Sequence, residues 1–310
     1  MLKTEASPTA VPAIVERRCP SADDSRCLFG EPEAFPDRSG MIGDVSVVRC
    51  RCCGIGITQP PLADVTSLYA DRKSQDFQPN TGKFIHAIKS LAFRRQARAL
   101  VRQVGGRSER VVDFGCGSGL FTQQLSEMLP ASEVIGADFH DRPPADLTES
   151  SYLSFDRLQN VSGTADLVLA MHVLEHDDDS RALLARIVDL AKPGGRIVLE
   201  VPNIDCVWAP LFGRRWDAWY LPYHRVHFTR MSLRSLVESA GLTVELEAPA
   251  CVPTMGRSIA NLLGWRNSIV FVLVGVALHP IQWIAERITQ RSSALRIVAR
   301  LPNRTEPGDG

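Results

Sequence analysis

The chain has 310 residues, enough for one large domain and a small appendage. Its 35 acidic and 35 basic residues cancel, which argues against a nucleic-acid partner because such a partner requires a basic face. The N-terminus contains no apolar core of signal-peptide length, so we expect a cytoplasmic protein whose residues 1–18 form a disordered leader.

A cysteine cluster follows the leader and predicts a small zinc-ribbon-like module over residues 19–60. The segment Cys50–Cys53 contains a C-x-x-C-G half-site of the type that binds zinc. The second half-site is incomplete, because a C-x-x-C beginning at Cys19 would need a thiol where Ala22 stands. Three alternatives follow: Cys27 completes the site, Cys52 substitutes, or packing alone holds the module without a metal. The predicted ligands of a structural zinc ion are Cys19, Cys27, Cys50 and Cys53.

Strand and helix patterns alternate over residues 106–302, which indicates a doubly wound α/β sheet with mostly parallel strands. Residues 61–105 are predicted as a helical linker or lid, and residues 303–310 as a tail. A helical, apolar insertion is expected at 250–293, between the last two strands, and the last strand is expected to be antiparallel. The seven predicted strands are Arg110–Phe114, Glu133–Asp138, Tyr152–Phe155, Asp166–Met171, Arg196–Val201, Leu242–Glu247 and Leu295–Leu301.

The first of these strands leads through a glycine-rich turn into a helix predicted at Leu120–Leu129. The turn carries Gly115, Gly117 and Gly119 in a G-x-G-x-G pattern. Glycines let the backbone approach a ligand closely, and a helix N-terminus presents unpaired N–H groups. The spacing differs from the dinucleotide pattern G-x-G-x-x-G, and no Gly-Lys-Ser/Thr follows. We therefore expect a ligand that carries a nucleoside without phosphates.

Five motifs occur in order along roughly residues 80–301, namely VVDFGCGSG, EVIGAD, MHVLEHDDD, LAKPGGRIVLEVPN and HRVHFTRMSLRSLVESAGL. Together they resemble the Rossmann-like (class I) methyltransferases that depend on S-adenosylmethionine. The last motif is similar to a segment of a bacterial subgroup that often has a Cys-rich N-terminal region. The resemblance implies S-adenosylmethionine as the cofactor and a small-molecule, glycan or lipid-linked acceptor, with methylation of oxygen preferred.

The resemblance also places the binding site outside the carboxyl ends of the strands, where open α/β sheets bind ligands. Asp138 is expected to bind both ribose hydroxyls, and Asp113 to orient the loop or meet the ligand's amino group. Asp156 is expected near the adenine amine, and Met171 beside the methionine moiety. The predicted cofactor-binding residues are Asp113, Gly115, Cys116, Gly117, Gly119, Asp138, Phe139, Asp156 and Met171.

Methyl transfer is an in-line displacement that needs close alignment and sometimes a base. His172 follows the fourth strand near the expected methyl group, and His224 belongs to a loop on the same face. We predict these two as the catalytic residues. Two alternatives stay open at this point. One is a non-catalytic S-adenosylmethionine-binding or scaffold protein of the same fold, and the other is a nicotinamide-dependent oxidoreductase, which the glycine spacing disfavours.

Two insertions, residues 202–230 and 249–293, are expected over the site and hold all five tryptophans. The second contains ten consecutive apolar residues, Ile269–Leu278, too few to span a bilayer. We favour a lid packed on the sheet edge or on the second subunit of a homodimer. The alternative is peripheral contact of residues 269–286 with a membrane or a lipid tail. The arginines that would suit anionic headgroups there are Arg257, Arg266, Arg287, Arg291 and Arg296.

Overall fold

The computed structural model describes residues 19–20, 27–35, 44–62, 65–69, 83–105, 108–265 and 268–303; the predicted leader and most of the predicted tail lie outside them. The strands within the described residues are β1 (Glu33–Phe35), β2 (Val45–Arg49), β3 (Gly56–Gln59), β4 (Arg110–Phe114), β5 (Glu133–Asp138), β6 (Tyr152–Ser154), β7 (Ala165–Met171), β8 (Ala191–Pro202), β9 (Val226–His227), β10 (Thr243–Ala250) and β11 (Ala294–Arg300). The α-helices there are α1 (Lys83–Val104), α2 (Leu120–Met128), α3 (Ser180–Val188), α4 (Trp208–Phe212), α5 (Arg230–Ser239), α6 (Met255–Leu263) and α7 (Ile269–Thr289).

Seven strands form the main sheet in the spatial order β6-β5-β4-β7-β8-β11-β10. Neighbouring strands are parallel except β11, which runs antiparallel to both β8 and β10. The predicted doubly wound sheet with an antiparallel last strand is therefore confirmed. Strand β8 begins earlier than predicted because its glycine turn continues the ladder, with the Gly194 and Leu301 N–H groups donating to Leu301 O and Gly195 O.

Alternate residues of the central strands build two separate cores, one on each face of the sheet. Val111 and Leu167 pack on one face against α1 and α2. Val112 and Val168 pack on the other face against α3 and α5. Because both faces are covered, the central strands are continuous apolar runs in the sequence. The space beyond the carboxyl ends of β4 and β7, where open α/β sheets bind ligands, is called the crevice.

A second, four-stranded sheet joins the N-terminal region to the rest of the chain in the order β1-β2-β3-β9. Its last member, β9, belongs to the first insertion and pairs antiparallel with β3. Arg225, fully buried beside β9, donates hydrogen bonds to the carbonyls of Thr58 and Pro60 and forms an ion pair with Asp178. The cysteine-rich region thus shares a sheet and a core with the first insertion of the larger domain.

The second insertion forms an antiparallel helical pair, α6 and α7. A Cβ atom on Gly256 would lie 2.0 Å from Phe271 O, so only glycine permits this close crossing. The tryptophans of the two insertions differ in burial: Trp208 and Trp216 are buried beneath α6 and α7, whereas Trp265 is exposed. The first insertion thus serves as the base on which the helical pair packs.

Candidate active site

The glycine-rich turn closes over the end of β5. Gly115 and Cys116 both donate their N–H groups to Ala137 O, at 2.7 and 3.0 Å. All three glycines of the pattern have φ between 54° and 78°, a conformation that side chains disfavour. A Cβ atom on Gly115 would lie only 2.5 Å from Val173 Cγ2, so this residue also has a steric reason to be glycine.

Asp138 holds the turn from the neighbouring strand. Its carboxylate oxygens accept hydrogen bonds from the N–H groups of Gly117 and Phe139, both at 2.8 Å. The side chain is buried at the end of β5, directly beneath the crevice. A carboxylate has about four acceptor positions, so two oxygens that each accept one N–H can also accept ribose hydroxyls.

Asp113 lies at the opposite side of the turn and fixes helix α2. Thr122 Oγ1 donates to its Oδ2 at 2.6 Å. Burial, together with the nearby charge of Asp138, raises the pKa of Asp113 from 3.8 to about 6. The helix residue Thr122 was missed from the sequence, because a single threonine two residues into a helix carries no recognisable signal.

The remaining predicted cofactor residues surround the crevice. Phe139 exposes its ring next to Asp138, where it can cover an adenine, and Asp156 is exposed just after β6. Cys116 is buried against Gly136, and burial raises the pKa of its thiol, which makes it a packing group. Met171 ends β7 half-buried. Tyr69, 5.9 Å from the Phe139 ring, lies over this side of the crevice and was not predicted.

His172 follows β7 with φ of 58°, a strained conformation for a non-glycine residue. Its Nδ1 lies 3.3 Å from Glu175 Oε1, and its Nε2 lies 3.2 Å from Glu200 Oε1. Burial opposes the charged ring, but the two carboxylates outweigh it and raise the pKa of His172 to about 10. With both nitrogens donating, the ring supplies positive charge and orientation and is ill suited to act as a base.

Glu200 and Arg296 form a buried ion pair behind His172. Arg296 Nε donates to Glu200 Oε2 at 2.8 Å, and its Nη1 donates to Gln103 of α1 at 3.0 Å. Arg296 is therefore an interior residue of β11, and its predicted place beside the apolar helix is wrong. In the sequence each charge interrupts an apolar stretch of its strand, Ile197–Val201 for Glu200 and Ala294–Ala299 for Arg296, and a charged residue buried in this way needs a partner.

A second cluster lies across the crevice from the glycine turn. His224 is buried, its Nδ1 lies 2.9 Å from Ala218 O, and its Nε2 lies 4.0 Å from Glu175 Oε1. Burial and the neighbouring histidines lower the pKa of His224 well below 6.5, so the ring is neutral. The Tyr69 hydroxyl contacts His176 Nδ1 at 2.7 Å. The two predicted catalytic histidines thus both lie within 4.0 Å of one carboxylate, Glu175, which the predicted catalytic pair did not include.

The four predicted cysteine ligands converge. The Sγ atoms of Cys19, Cys27, Cys50 and Cys53 all lie within 4.8 Å of one another. Cys19 and Cys53 are 3.4 Å apart, close to the ~3.8 Å edge of a zinc–thiolate tetrahedron. Cys52 is exposed outside the group. The damaged second half-site is thus completed by Cys27, and the donor set fits a structural zinc ion with no open position for catalysis.

The strand order and the glycine turn facing an acid on the next strand define a Rossmann-like methyltransferase that uses S-adenosylmethionine. Residues 84–247, more than half of the chain, match the family model described as a methyltransferase domain. The chain belongs to this family of enzymes.

Several curated proteins are similar to the chain. A ubiquinone biosynthesis O-methyltransferase of Rhodopseudomonas palustris (strain BisB18) is 27% identical over 186 residues, covering 51% of this chain and 70% of the relative. A ubiquinone biosynthesis O-methyltransferase of Cereibacter sphaeroides (strain ATCC 17029 / ATH 2.4.9) is 32% identical over 150 residues, covering 43% of this chain and 60% of the relative. The O-methyltransferase cnsE of Penicillium expansum is 26% identical over 249 residues, covering 70% and 88%.

Among solved structures, a Burkholderia thailandensis 1,6-didemethyltoxoflavin-N1-methyltransferase with bound S-adenosylhomocysteine aligns with a TM-score of 0.48 at 17% identity. The alignment covers 88% of this chain and 100% of that one. The sequence relatives are matched over only part of their length, between 60% and 88% in the three cases above.

Proposed function

We propose that the enzyme transfers the methyl group of S-adenosylmethionine to a hydroxyl oxygen of a small, largely apolar acceptor. The observation that carries the proposal is that His172 and His224 lie 3.3 and 4.0 Å from the same carboxylate oxygen, Glu175 Oε1, which follows the end of β7. His172 supplies fixed positive charge, whereas His224 is neutral and presents a ring nitrogen that can accept a proton. A hydroxyl acceptor needs both a positioned oxygen and a route for its proton.

The reaction balances without further reagents. The acceptor oxygen attacks the methyl carbon in line with the carbon–sulfur bond, and a carbon–oxygen bond forms as that bond breaks. The bonding pair stays on sulfur, which becomes the neutral thioether of S-adenosylhomocysteine. The hydroxyl proton passes to His224 or to water, and the protein contributes mainly proximity, alignment and exclusion of solvent. The O-methyltransferase names of the curated relatives support oxygen as the acceptor atom.

Calorimetry with S-adenosylhomocysteine tests the cofactor side. The Asp138→Ala variant removes charge-assisted hydrogen bonds, so we expect its affinity to fall at least tenfold, about 1.4 kcal/mol. Asp141→Ala is the matched control, because it removes an exposed acid three residues away. Wild-type protein that fails to bind the ligand would contradict the proposal.

The acceptor can be found by incubating the protein with isotopically labelled methyl donor and fractionated cell extract, followed by mass spectrometry. We expect label in the organic-soluble fraction, in a product that gains one methyl group on oxygen. Label on nitrogen or carbon would refute oxygen as the acceptor atom. No transfer to any fraction by protein that does bind the donor would favour the non-catalytic alternative.

We also propose that α7 rests on a membrane surface that supplies such acceptors. Within the described residues, α7 is the one helix long and apolar enough to cross a bilayer, with only 22% of its apolar window buried. Its C-terminal half is tied to the protein, because Glu286 accepts hydrogen bonds from Trp208 Nε1 and the Ser293 N–H. A helix fixed this way suits shallow insertion, and Arg287 beside Trp283 suits an anionic interface.

Flotation with phosphatidylglycerol vesicles tests the membrane contact. We expect the wild type to float and a double variant, Leu273→Ser with Val276→Ser, to lose most of that binding, because both side chains are exposed. Wild-type protein that stays in solution as a dimer would show instead that the apolar face is covered by a second copy.

A further inference from the structure

Three potential metal ligands meet between the turn that follows β7 and the loop that precedes β9. Glu175, His176 and His224 each offer a ligand atom, and these atoms all lie within 4.8 Å of one another. The cluster is separate from the cysteine group and lies on the acceptor side of the crevice, with Tyr69 beside His176.

The carboxylate of Glu175 is incompletely satisfied. Its Oε1 lies 3.3 Å from His172 Nδ1, but its Oε2 is buried and has no hydrogen-bond partner among the described residues. Only 1% of the residue is exposed, so water does not solvate this oxygen freely. A buried carboxylate oxygen without a partner is costly and calls for a cation or a donor.

The imidazole of His224 faces the same space with a lone pair. A carbonyl can only accept, so the 2.9 Å contact with Ala218 O requires His224 Nδ1 to carry the hydrogen. Nε2 is then unprotonated, and it points at Glu175 Oε1 across 4.0 Å. Two acceptors facing each other repel, and a metal ion between them removes the repulsion. A backbone carbonyl that fixes the far nitrogen is also the usual support of a metal-bound histidine.

We propose that Glu175, His176 and His224 bind a divalent transition-metal cation beside the methyl-acceptor position. Two imidazoles and one carboxylate favour Mn²⁺, Fe²⁺ or Zn²⁺ over Ca²⁺ or Mg²⁺, which prefer oxygen ligands. Three ligands leave open coordination positions, and because His224 Nε2 is occupied while the cation is bound, the hydroxyl proton of the acceptor then leaves to water. Those positions suit an acceptor that offers two neighbouring oxygens, one of which is methylated, so this inference rests on the proposed transfer to oxygen.

Mn²⁺ binding by metal-stripped, full-length protein is the direct test, because this ion prefers nitrogen and oxygen ligands and discriminates against the four-thiol site. We expect one equivalent by equilibrium dialysis, and a rise in melting temperature that grows with Mn²⁺ concentration. Glu175→Gln, which keeps the side-chain shape, should weaken binding at least tenfold and abolish the rise. His279→Gln, a histidine on α7 outside both clusters, is the matched control and should behave as wild type.

Zn²⁺ titration provides the second measurement, with two equivalents expected for the wild type and one for Glu175→Gln or His224→Gln. Circular dichroism of the metal-free variants establishes that they fold. The proposal is overturned if the wild type binds no Mn²⁺ and binds only one equivalent of Zn²⁺, an equivalent that both variants also bind. Binding of S-adenosylhomocysteine is measured on the same samples, so failure of the methyltransferase assignment is read separately from failure of the metal site.

Discussion

Replacing Asp113 with asparagine should stabilise the ligand-free enzyme, and by an amount that depends on pH. The carboxyl group is buried and its pKa rises from 3.8 to about 6 on folding. Between these values the folded state binds more protons than the unfolded state, so the native protein loses stability as pH rises. Well below pH 3.8, Asp113 is protonated in both the folded and the unfolded state. Well above pH 6 it is ionised in both states, so the free-energy cost of burying its charge is present in full and no longer changes with pH.

The size of this stability difference follows from the two pKa values of Asp113, in the folded and in the unfolded protein. A difference of about 2.2 pKa units corresponds to about 3 kcal/mol when the group is fully ionised in both states. At pH 4.5 the same pair of pKa values gives a cost of about 1 kcal/mol. Asparagine has no such cost and still accepts the Thr122 hydrogen bond, so its advantage over aspartate should grow by about 2 kcal/mol between pH 4.5 and 7.

Urea unfolding of both proteins, without cofactor, at several pH values between 4.5 and 8 measures this growth. Comparing slopes with pH removes any constant offset caused by the amide. Asp141→Asn, an exposed acid in the next loop, serves as the control and should show no pH-dependent difference. A stability difference for Asp113→Asn that stays flat from pH 4.5 to 7 would refute the view that burial dominates at this site.

Three further outcomes are expected. Gly119→Ala should weaken S-adenosylhomocysteine binding at least tenfold in calorimetry, because the φ of Gly119 is 78° and a Cβ atom there would lie 2.6 Å from Leu147 Cγ. Gly163→Ala is the control: this glycine also has a positive φ but open space around it, so the substitution should leave binding unchanged. Arg296→Met should cost about 3 kcal/mol in urea unfolding because it leaves the buried carboxylate of Glu200 with a charged partner, His172, on only one oxygen, and a loss below 1 kcal/mol would contradict the pairing with Arg296. Chelation of metal from the four-cysteine group should lower the melting temperature in a scan, with recovery on adding Zn²⁺; an unchanged transition would mean that packing alone holds the module.

The sequence predicted the main sheet well because its signals are local. Each central strand is a short apolar run, and the glycine turn is contiguous with Asp113. The four predicted cysteine ligands also converge in the structure, and the C-x-x-C-G segment that indicated them is a local signal. These features depend on neighbours in the chain and need no knowledge of distant packing.

Contacts between segments that are distant in the chain could not be predicted from such local signals. Tyr69 reaches His176 across 107 residues, and Arg296 reaches Glu200 across 96. The sequence around Tyr69 or Arg296 contains no signal that identifies its partner. The charge of His172 could not be predicted either, because its pKa depends on burial, on Glu175 and on Glu200, and Glu200 belongs to a different strand.

The pairing of β3 with β9 has a practical consequence for dissecting the enzyme. The family match begins at residue 84, so a catalytic fragment cut there would lack β3. Such a fragment would leave β9 as a bare edge and would deprive Arg225 of the Thr58 and Pro60 carbonyls that hold it. The loop that carries His224 would then lose the strand on which it packs. Shortened versions are therefore poor substitutes for the whole chain in any search for its natural acceptor.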